Sequence, residues 1–115
     1  MLQSTVISGE GVAAGLGYAT ANLNITPEKT GLHDGVYAAW SYLSEKKYPS
    51  ALVIISGRQK VEVHLIGYSG ETLIGKTLEV DSVQKISEIE PLSGEALKKK
   101  IKRDIEICSQ VLLKL

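Results

Sequence analysis

The 115-residue sequence contains no phenylalanine and is poor in the residues that build disulfides or zinc sites. Its single cysteine, Cys108, excludes an internal disulfide and is consistent with a reducing compartment. Only His33 and His64 accompany it as soft or borderline ligands, so a structural zinc site is not expected. The fold must therefore be stabilised by its own core.

Net charge and long apolar runs are also lacking. Thirteen basic and thirteen acidic residues give a formal net charge of zero, so no global field attracts nucleic acid or an anionic membrane. No apolar run is long enough to span a membrane, and the first residues lack the basic segment and apolar core of a signal peptide. We expect a cytoplasmic monomer that binds neither nucleic acid nor membrane.

The length and the periodicity of the sequence predict one domain over residues 1–115, β-rich and ending in a helix. Segments that are β-branched or aromatic and bounded by Gly, Pro, Asn or Ser predict strands, and five or six of them favour a barrel. The predicted strands cover residues 5–7, 35–42, 51–55, 61–68 and 77–80. Residues 51–55 are apolar throughout, which is typical of a strand buried on both faces.

The carboxyl-terminal residues change to a helical period. Apolar residues recur at intervals of three or four, and Ser93 with Glu95 marks a helix start. The predicted buried stripe consists of Leu97, Ile101, Ile105, Cys108 and Leu112. The basic run at residues 98–103 is interpreted as a solvated helix face and not as a nucleic-acid patch.

Two glycine-rich segments imitate nucleotide-binding motifs. Residues 70–77 fit the P-loop pattern, but an alternating, strand-like segment follows where a P-loop requires a helix. The segment from Gly9 to Gly11 imitates a dinucleotide fingerprint, yet Gly15 and Gly17 follow where the helix should begin. Both interpretations are rejected.

The polar residues 44–50 predict a hairpin loop.

Three features together indicate phosphoryl transfer. A glycine-rich loop at Gly9 and Gly11 offers backbone donors for phosphate, and Thr20 and Asn22 offer oxygen ligands for magnesium. Glu62, in an alternating strand, offers a base that could orient an attacking hydroxyl. Each feature alone is weak, because Thr and Asn are common in turns and most strand glutamates face solvent.

The order of these motifs resembles the riboflavin kinase family nearly end to end. The family's Gly-x-Gly loop, Leu-Gly-aromatic-Pro-Thr-Ala-Asn segment, Gly-Val-Tyr strand, Val-Glu-x-His strand, Gly-Asp-x-Tyr-Gly-Lys loop and helical Asp-Ile-Glu all have counterparts. The counterparts are Gly9 and Gly11, residues 16–22, residues 35–37, residues 61–64, residues 70–76 and residues 104–106. The resemblance implies a six-stranded antiparallel Greek-key barrel closed by a C-terminal helix.

The resemblance also implies an activity and its cofactors. Riboflavin kinases transfer the γ-phosphate of ATP, with Mg²⁺, to the ribityl 5′ hydroxyl of riboflavin. The sequence holds no adenylyltransferase domain of the kind fused to many bacterial relatives, so FMN and not FAD is the expected product.

Carried over residue by residue, the resemblance assigns Thr20 and Asn22 to Mg²⁺ and the nucleotide phosphates. It assigns Glu62 to the riboflavin hydroxyl as the catalytic carboxylate. Further residues expected near the nucleotide are Gly9, Gly11, Leu65 and Gly67. His64 is left as structural or solvent-facing, and Trp40 and the tyrosines are expected to fill the core rather than stack on a base.

Several positions depart from the family pattern. Ala19 replaces a proline, Val12, Ala13 and Ala14 replace basic residues, and residues 85–91 lack the arginine and phenylalanine that clasp the flavin. Two alternatives therefore stay open. The first is a flavin-binding or nucleotide-binding barrel without catalysis, and the second is a structural protein-interaction domain.

Overall fold

Six antiparallel β-strands close into a barrel in the computed structural model of this chain, which describes residues 1–9 and 12–114. The strands are β1 (Leu2–Ser8), β2 (Ala19–Leu23), β3 (Gly35–Leu43), β4 (Lys46–Ile55), β5 (Lys60–Leu65) and β6 (Thr77–Ser87). Hydrogen-bonded neighbours around the barrel follow the order β1, β2, β5, β4, β3, β6, and β6 pairs with β1. The predicted six-stranded Greek-key barrel is confirmed.

The longest helix packs against the outside of the barrel wall. Short helices α1 (Val12–Gly15) and α2 (Pro27–Thr30), a 3-10 turn at Ser56–Arg58 and the long helix α3 (Gly94–Leu113) complete the secondary structure of the described residues. Helix α3 begins after Ser93, as the sequence predicts. Within the described part of the chain, none of the helices has the length and apolarity needed to cross a membrane.

Two apolar layers hold the structure together, one inside the barrel and one between the barrel and α3. Successive strand residues face opposite sides of the wall, so Tyr37 and Leu52 enter the interior while Val36 and Ala51 face α3. The α3 residues buried in the outer layer are Ile105, Cys108 and Leu112. Residues 51–55 of β4 are thus apolar on both faces, as the sequence predicts.

The polar segment 44–50 is not a hairpin loop, and that prediction was wrong. The turn consists of Ser44 and Glu45 only, and β4 begins at Lys46. The strand accommodates these residues because alternate positions face opposite sides: Tyr48 packs against the interior, while the Lys47 ammonium lies 4.1 Å from the Trp40 ring. A cation over an aromatic ring is a favourable contact.

Several strand bounds and one helix face also differ from the predictions. Strand β1 covers residues 2–8 and not 5–7, and the strand predicted over residues 61–68 ends at Leu65. Strand β2 was not among the predicted strands, and β6 extends to Ser87, seven residues beyond its predicted end at Val80. Lys100 does not lie on a solvated face, because it is buried with its Nζ 2.6 Å from Asp104 Oδ2 and 3.2 Å from Ser87 Oγ. A buried partner one helical turn away compensates its charge.

The segment that imitates a P-loop is a loop that leads into β6. Residues 66–76 contain turns and bends, and β6 begins at Thr77 in extended conformation. A P-loop needs a helix at that point, because the helix amino terminus supplies donors to the phosphates. The rejection of a P-loop is therefore supported by the backbone.

Two fully buried serines provide a test of the packing. Ser41 Oγ has no hydrogen-bond partner among the described residues, whereas Ser50 Oγ donates to the Tyr48 carbonyl at 3.1 Å. We expect Ser41→Ala to raise the free energy of unfolding by about 1 kcal/mol, because it removes an uncompensated hydroxyl, and Ser50→Ala to lower it by about 1 kcal/mol. Urea unfolding of both variants checks this, and a shift in the same direction for the two would contradict it.

Candidate functional site

Four polar residues predicted or considered from the sequence meet across one strand pair. Strands β2 and β5 run antiparallel in a register that places Thr20 opposite His64 and Asn22 opposite Glu62. Because side chains two residues apart share a face, all four lie on the outer wall of the barrel. The intervening Ala21 and Val63 point into the interior core. The structure therefore brings together the predicted base and both predicted magnesium ligands.

Glu62 is a carboxylate in a largely dry environment. Its side chain is 14% exposed, its Oε2 lies 4.0 Å from Lys60 Nζ, and its Oε1 lies 3.4 Å from His64 Nε2. Burial raises the pKa of Glu62, and the nearby Lys60 ammonium opposes part of that rise. A carboxylate with a raised pKa is a better proton acceptor, which suits the predicted role of Glu62.

His64 is the buried centre of the group, and sequence reasoning left its role open. The residue is 4% exposed, and its Nδ1 lies 3.3 Å from Thr20 Oγ1. Burial lowers the pKa of His64 to about 4, so the imidazole is neutral at neutral pH. The alternation of the sequence in β5 predicted that His64 shares a face with Glu62. It did not predict that His64 is buried.

Thr20 and Asn22 have the chemistry that magnesium requires. The Asn22 amide nitrogen donates to the Ser8 carbonyl at 3.4 Å, which leaves the amide oxygen Oδ1 available as a ligand. Hydroxyl and amide oxygens are hard donors of the kind that Mg²⁺ accepts alongside water and phosphate oxygens. No cluster of three or more His, Cys, Asp or Glu suited to a metal occurs in residues 1–9 and 12–114, so such an ion would depend on these neutral ligands.

Gly9 lies against the same strand. A Cβ at this position would be 2.9 Å from the Thr20 carbonyl oxygen, closer than real Cβ contacts. Only glycine permits this approach. Gly9 and Thr20 also contribute to the wall of a cavity of about 320 Å³ between the β1–β2 and β5–β6 connections. Gly11, the other predicted glycine, lies outside the described residues.

The remaining predicted residues are placed less directly. The Leu65 side chain is buried inside the barrel, so only its backbone can reach a ligand on the outer wall. Gly67 adopts a positive φ of 83° just after β5, a conformation that glycine reaches without strain.

An apolar row continues from Glu62 along the outer wall. Val53 on β4 is opposite Glu62, Val36 on β3 is opposite Val53, and Ser87 at the end of β6 is opposite Val36. The Val36 side chain packs in the layer beneath α3. The wall beside the carboxylate is therefore apolar and ends near the Lys100 ammonium that contacts Ser87.

Burial of His64 predicts a specific dependence of stability on pH. Its pKa is about 4 in the folded protein, against an ordinary value of 6.5 for histidine, so its contribution is complete above pH 6.5 and is lost as the pH falls toward 4. When the pH falls from 7 to about 5, the free energy of unfolding should decrease in the native protein by about 2 kcal/mol more than it decreases in the His64→Gln variant. Urea unfolding of both proteins measures this, and equal losses would contradict it.

Comparison with known proteins identifies the family. The riboflavin kinase family model, described as Flavokinase, matches residues 1–112. A bifunctional riboflavin kinase/FMN adenylyltransferase from Mycoplasma pneumoniae is 34% identical over 107 residues, which cover 90% of this chain and 39% of that protein. The chain thus spans less than half the length of this curated relative.

Two solved structures share the fold. Riboflavin kinase from Trypanosoma brucei superposes with a TM-score of 0.73 at 20% identity, over 97% of this chain and 76% of that one. A macrolide-efflux protein from Streptococcus pneumoniae superposes with a TM-score of 0.72 at 22% identity, over 93% of this chain and 35% of that one. These two likenesses establish the barrel alone, whereas the family match covers nearly the whole sequence: the chain belongs to the riboflavin kinase family.

Proposed function

We propose that this chain transfers the γ-phosphate of ATP to the 5′ hydroxyl of riboflavin and so produces FMN. The observation that carries the proposal is the pairing of β2 with β5, which sets Asn22 opposite Glu62 and Thr20 opposite His64. A partly buried carboxylate and two hard oxygen ligands thereby share one face of the barrel. Membership of the riboflavin kinase family supplies the substrate class.

The nucleotide is placed at the cavity between the β1–β2 and β5–β6 connections. Backbone from Gly9 and Gly17 lines this cavity together with Thr20, Tyr68 and Gly70. Backbone amides in glycine-rich loops form concavities that bind phosphate. Thr20 belongs both to this cavity and to the polar group with His64, so it links the nucleotide to the reacting centre.

The acceptor is placed on the apolar row beside Glu62. The flat ring of riboflavin would lie against Val53, the partly exposed member of this row, with its ribityl chain directed toward the carboxylate, because α3 covers Val36. Glu62 accepts the proton of the 5′ hydroxyl as the oxygen bonds to the γ-phosphorus and the bond to the ADP oxygen breaks. Its raised pKa favours this proton transfer.

Thr20 Oγ1 and Asn22 Oδ1 are the atoms that would hold Mg²⁺. The ion, when bound, neutralises charge on the phosphate oxygens during transfer. The contribution of the chain is to present two oxygens on adjacent outward positions of one strand. The hydrogen bond from Asn22 to Ser8 fixes which end of its amide is presented.

We further infer that residues 1–115 form one domain that acts as a cytoplasmic monomer. Its partners are inferred to be small molecules, with no nucleic acid and no membrane. The formal net charge of zero supports the absence of a nucleic-acid partner. The one cysteine, Cys108, is buried on the face of α3 that packs against the barrel, and burial raises its thiol pKa to about 12. Such a thiol is unreactive, which agrees with a reducing compartment.

The direct test is FMN formation from riboflavin by the purified protein with Mg²⁺ and ATP, CTP or GTP. Glu62→Gln should lower kcat by about a hundredfold or more, because the amide cannot accept the hydroxyl proton, while nucleotide binding stays nearly unchanged. Glu79→Gln, at an exposed glutamate of β6, serves as the control and should keep native activity. Flavin or nucleotide binding without FMN would contradict the proposal and indicate a barrel that binds without catalysing.

A pair of glycine substitutions tests the nucleotide position. Gly9→Ala should raise the KM for the nucleotide about tenfold. The added Cβ would lie 2.9 Å from the Thr20 carbonyl oxygen and would push the Thr20 backbone away. Gly57→Ala is the matched control, since nothing lies within 4 Å of a Cβ there and its φ is not positive. Steady-state kinetics at saturating riboflavin measures both, and an unchanged KM in Gly9→Ala would place the nucleotide elsewhere.

A further inference from the structure

His64 joins the two halves of the site through its two ring nitrogens. Nδ1 lies 3.3 Å from Thr20 Oγ1, and Nε2 lies 3.4 Å from Glu62 Oε1. The ring is held between β2 and β4, opposite Thr20 on one side and Ala51 on the other. The residue is 4% exposed, so its ring nitrogens face protein groups and not bulk water.

The chemistry of the two neighbours selects one tautomer. A neutral imidazole has one N–H donor and one nitrogen lone pair. An ionised carboxylate only accepts hydrogen bonds, whereas a threonine hydroxyl can donate or accept. A hydrogen on Nε2 therefore faces the Glu62 oxygen favourably, while a hydrogen on Nδ1 would leave two lone pairs facing each other at 3.4 Å.

We propose that His64 is a positioning residue of the phosphoryl-transfer site, which donates from Nε2 to Glu62 and accepts at Nδ1 from the hydroxyl of Thr20. This inference deepens the proposed function and rests on it, since it gives a role to a residue that neither the family resemblance nor the comparisons assign.

The first consequence concerns the hydroxyl of Thr20. With its hydrogen directed to His64 Nδ1, both lone pairs of Oγ1 are free to face a cation. The other acceptor within reach, the Tyr18 carbonyl, is at 3.5 Å, a weaker contact than the one to His64. The imidazole thus orients the Thr20 oxygen as a ligand before any ion binds, as outer-shell partners of metal ligands do.

The second consequence concerns the carboxylate of Glu62. His64 Nε2, at 3.4 Å from Oε1, and the Lys60 ammonium, at 4.0 Å from Oε2, flank the two oxygens of the carboxylate. A carboxylate fixed in this way keeps one orientation toward the acceptor hydroxyl, and loss of orientation lowers the rate more than the affinity. A histidine that only filled space would not couple Thr20 to Glu62.

The tautomer is measured on the protein without ligands. A long-range ¹H–¹⁵N spectrum of the ¹⁵N-labelled protein at neutral pH distinguishes protonated from unprotonated ring nitrogens, and His64→Gln assigns the signal. We expect the hydrogen of His64 on Nε2. A hydrogen on Nδ1, or a mixture of both tautomers, would overturn the proposal without any reference to activity.

Two amide variants separate the two contacts. The Asn side chain reaches about as far as Nδ1 and the Gln side chain about as far as Nε2, so each keeps one neighbour and loses the other. His64→Asn should lower kcat about 10- to 100-fold with little change in the KM for Mg²⁺-nucleotide. His64→Gln should keep kcat within about threefold at saturating Mg²⁺ and raise the Mg²⁺ concentration for half-maximal rate about tenfold. Titration calorimetry of Mg²⁺-ADP should show the same loss of affinity in His64→Gln.

Matched controls keep the outcomes distinct. His33→Gln replaces the exposed histidine and should leave every readout native. Circular dichroism melting of each variant identifies one that fails to fold, and the tautomer measurement on the native protein then decides alone. Equal effects of His64→Asn and His64→Gln on kcat and on the Mg²⁺ requirement would overturn the positioning role. Native protein that makes no FMN would instead refute the proposed function.

Discussion

The register between β2 and β5 is the constraint on which the candidate site depends. It sets Asn22 opposite Glu62 and Thr20 opposite His64 on the outer wall, while Ala21 and Val63 enter the core. A slip of one residue would reverse both faces, because side chains alternate along a strand. The apolar interior therefore fixes the site: the burial that stabilises the barrel also decides which polar side chains meet outside.

Closure of the barrel makes this register rigid. Strand β2 is only five residues long, and its side chains include few of the β-branched or aromatic types that favour strands. It is held by β1 on one side and β5 on the other. With no free edge in a closed wall, neither strand can rotate to solvate Glu62 or His64. The perturbed pKa values of these two residues follow from that confinement.

The two apolar layers have different positions relative to the candidate site. The interior layer closes the barrel, and the outer layer between the wall and α3 covers Val36 and Ala51. Beside Glu62, Val53 is the partly exposed apolar member of the row toward Ser87, and it offers a small apolar surface next to the carboxylate. The proposed phosphoryl transfer depends on positioning and on exclusion of water, and the wall would supply both.

Much of this arrangement could be predicted from the sequence, and the exceptions have physical reasons. Strand count predicted the barrel, the helical period predicted α3, alternation put Glu62 with His64, and the family resemblance singled out Thr20 and Asn22. Strand β2 was missed because its strand conformation comes from its neighbours and not from its own residues. The burial of Lys100 was missed because it requires Asp104 and Ser87, which only the packing of α3 brings together.

The burial of His64 could not be predicted for a related reason. Periodicity assigns a residue to one face of a strand, but it does not say what covers that face. A polar residue on the outer wall of a barrel is ordinarily solvated. Here the histidine is 4% exposed, because it lies between two polar neighbours that the sequence separates by more than forty positions.

The central claim is that one outer face of the barrel, formed by β2 and β5, carries the reaction. A crystal structure with Mg²⁺, ADP and FMN would test it most directly. We expect the ADP phosphates against Gly9 and Thr20, the ion on Thr20 and Asn22, and the FMN phosphate beside Glu62. Ligands bound at another surface, with this face empty, would contradict it.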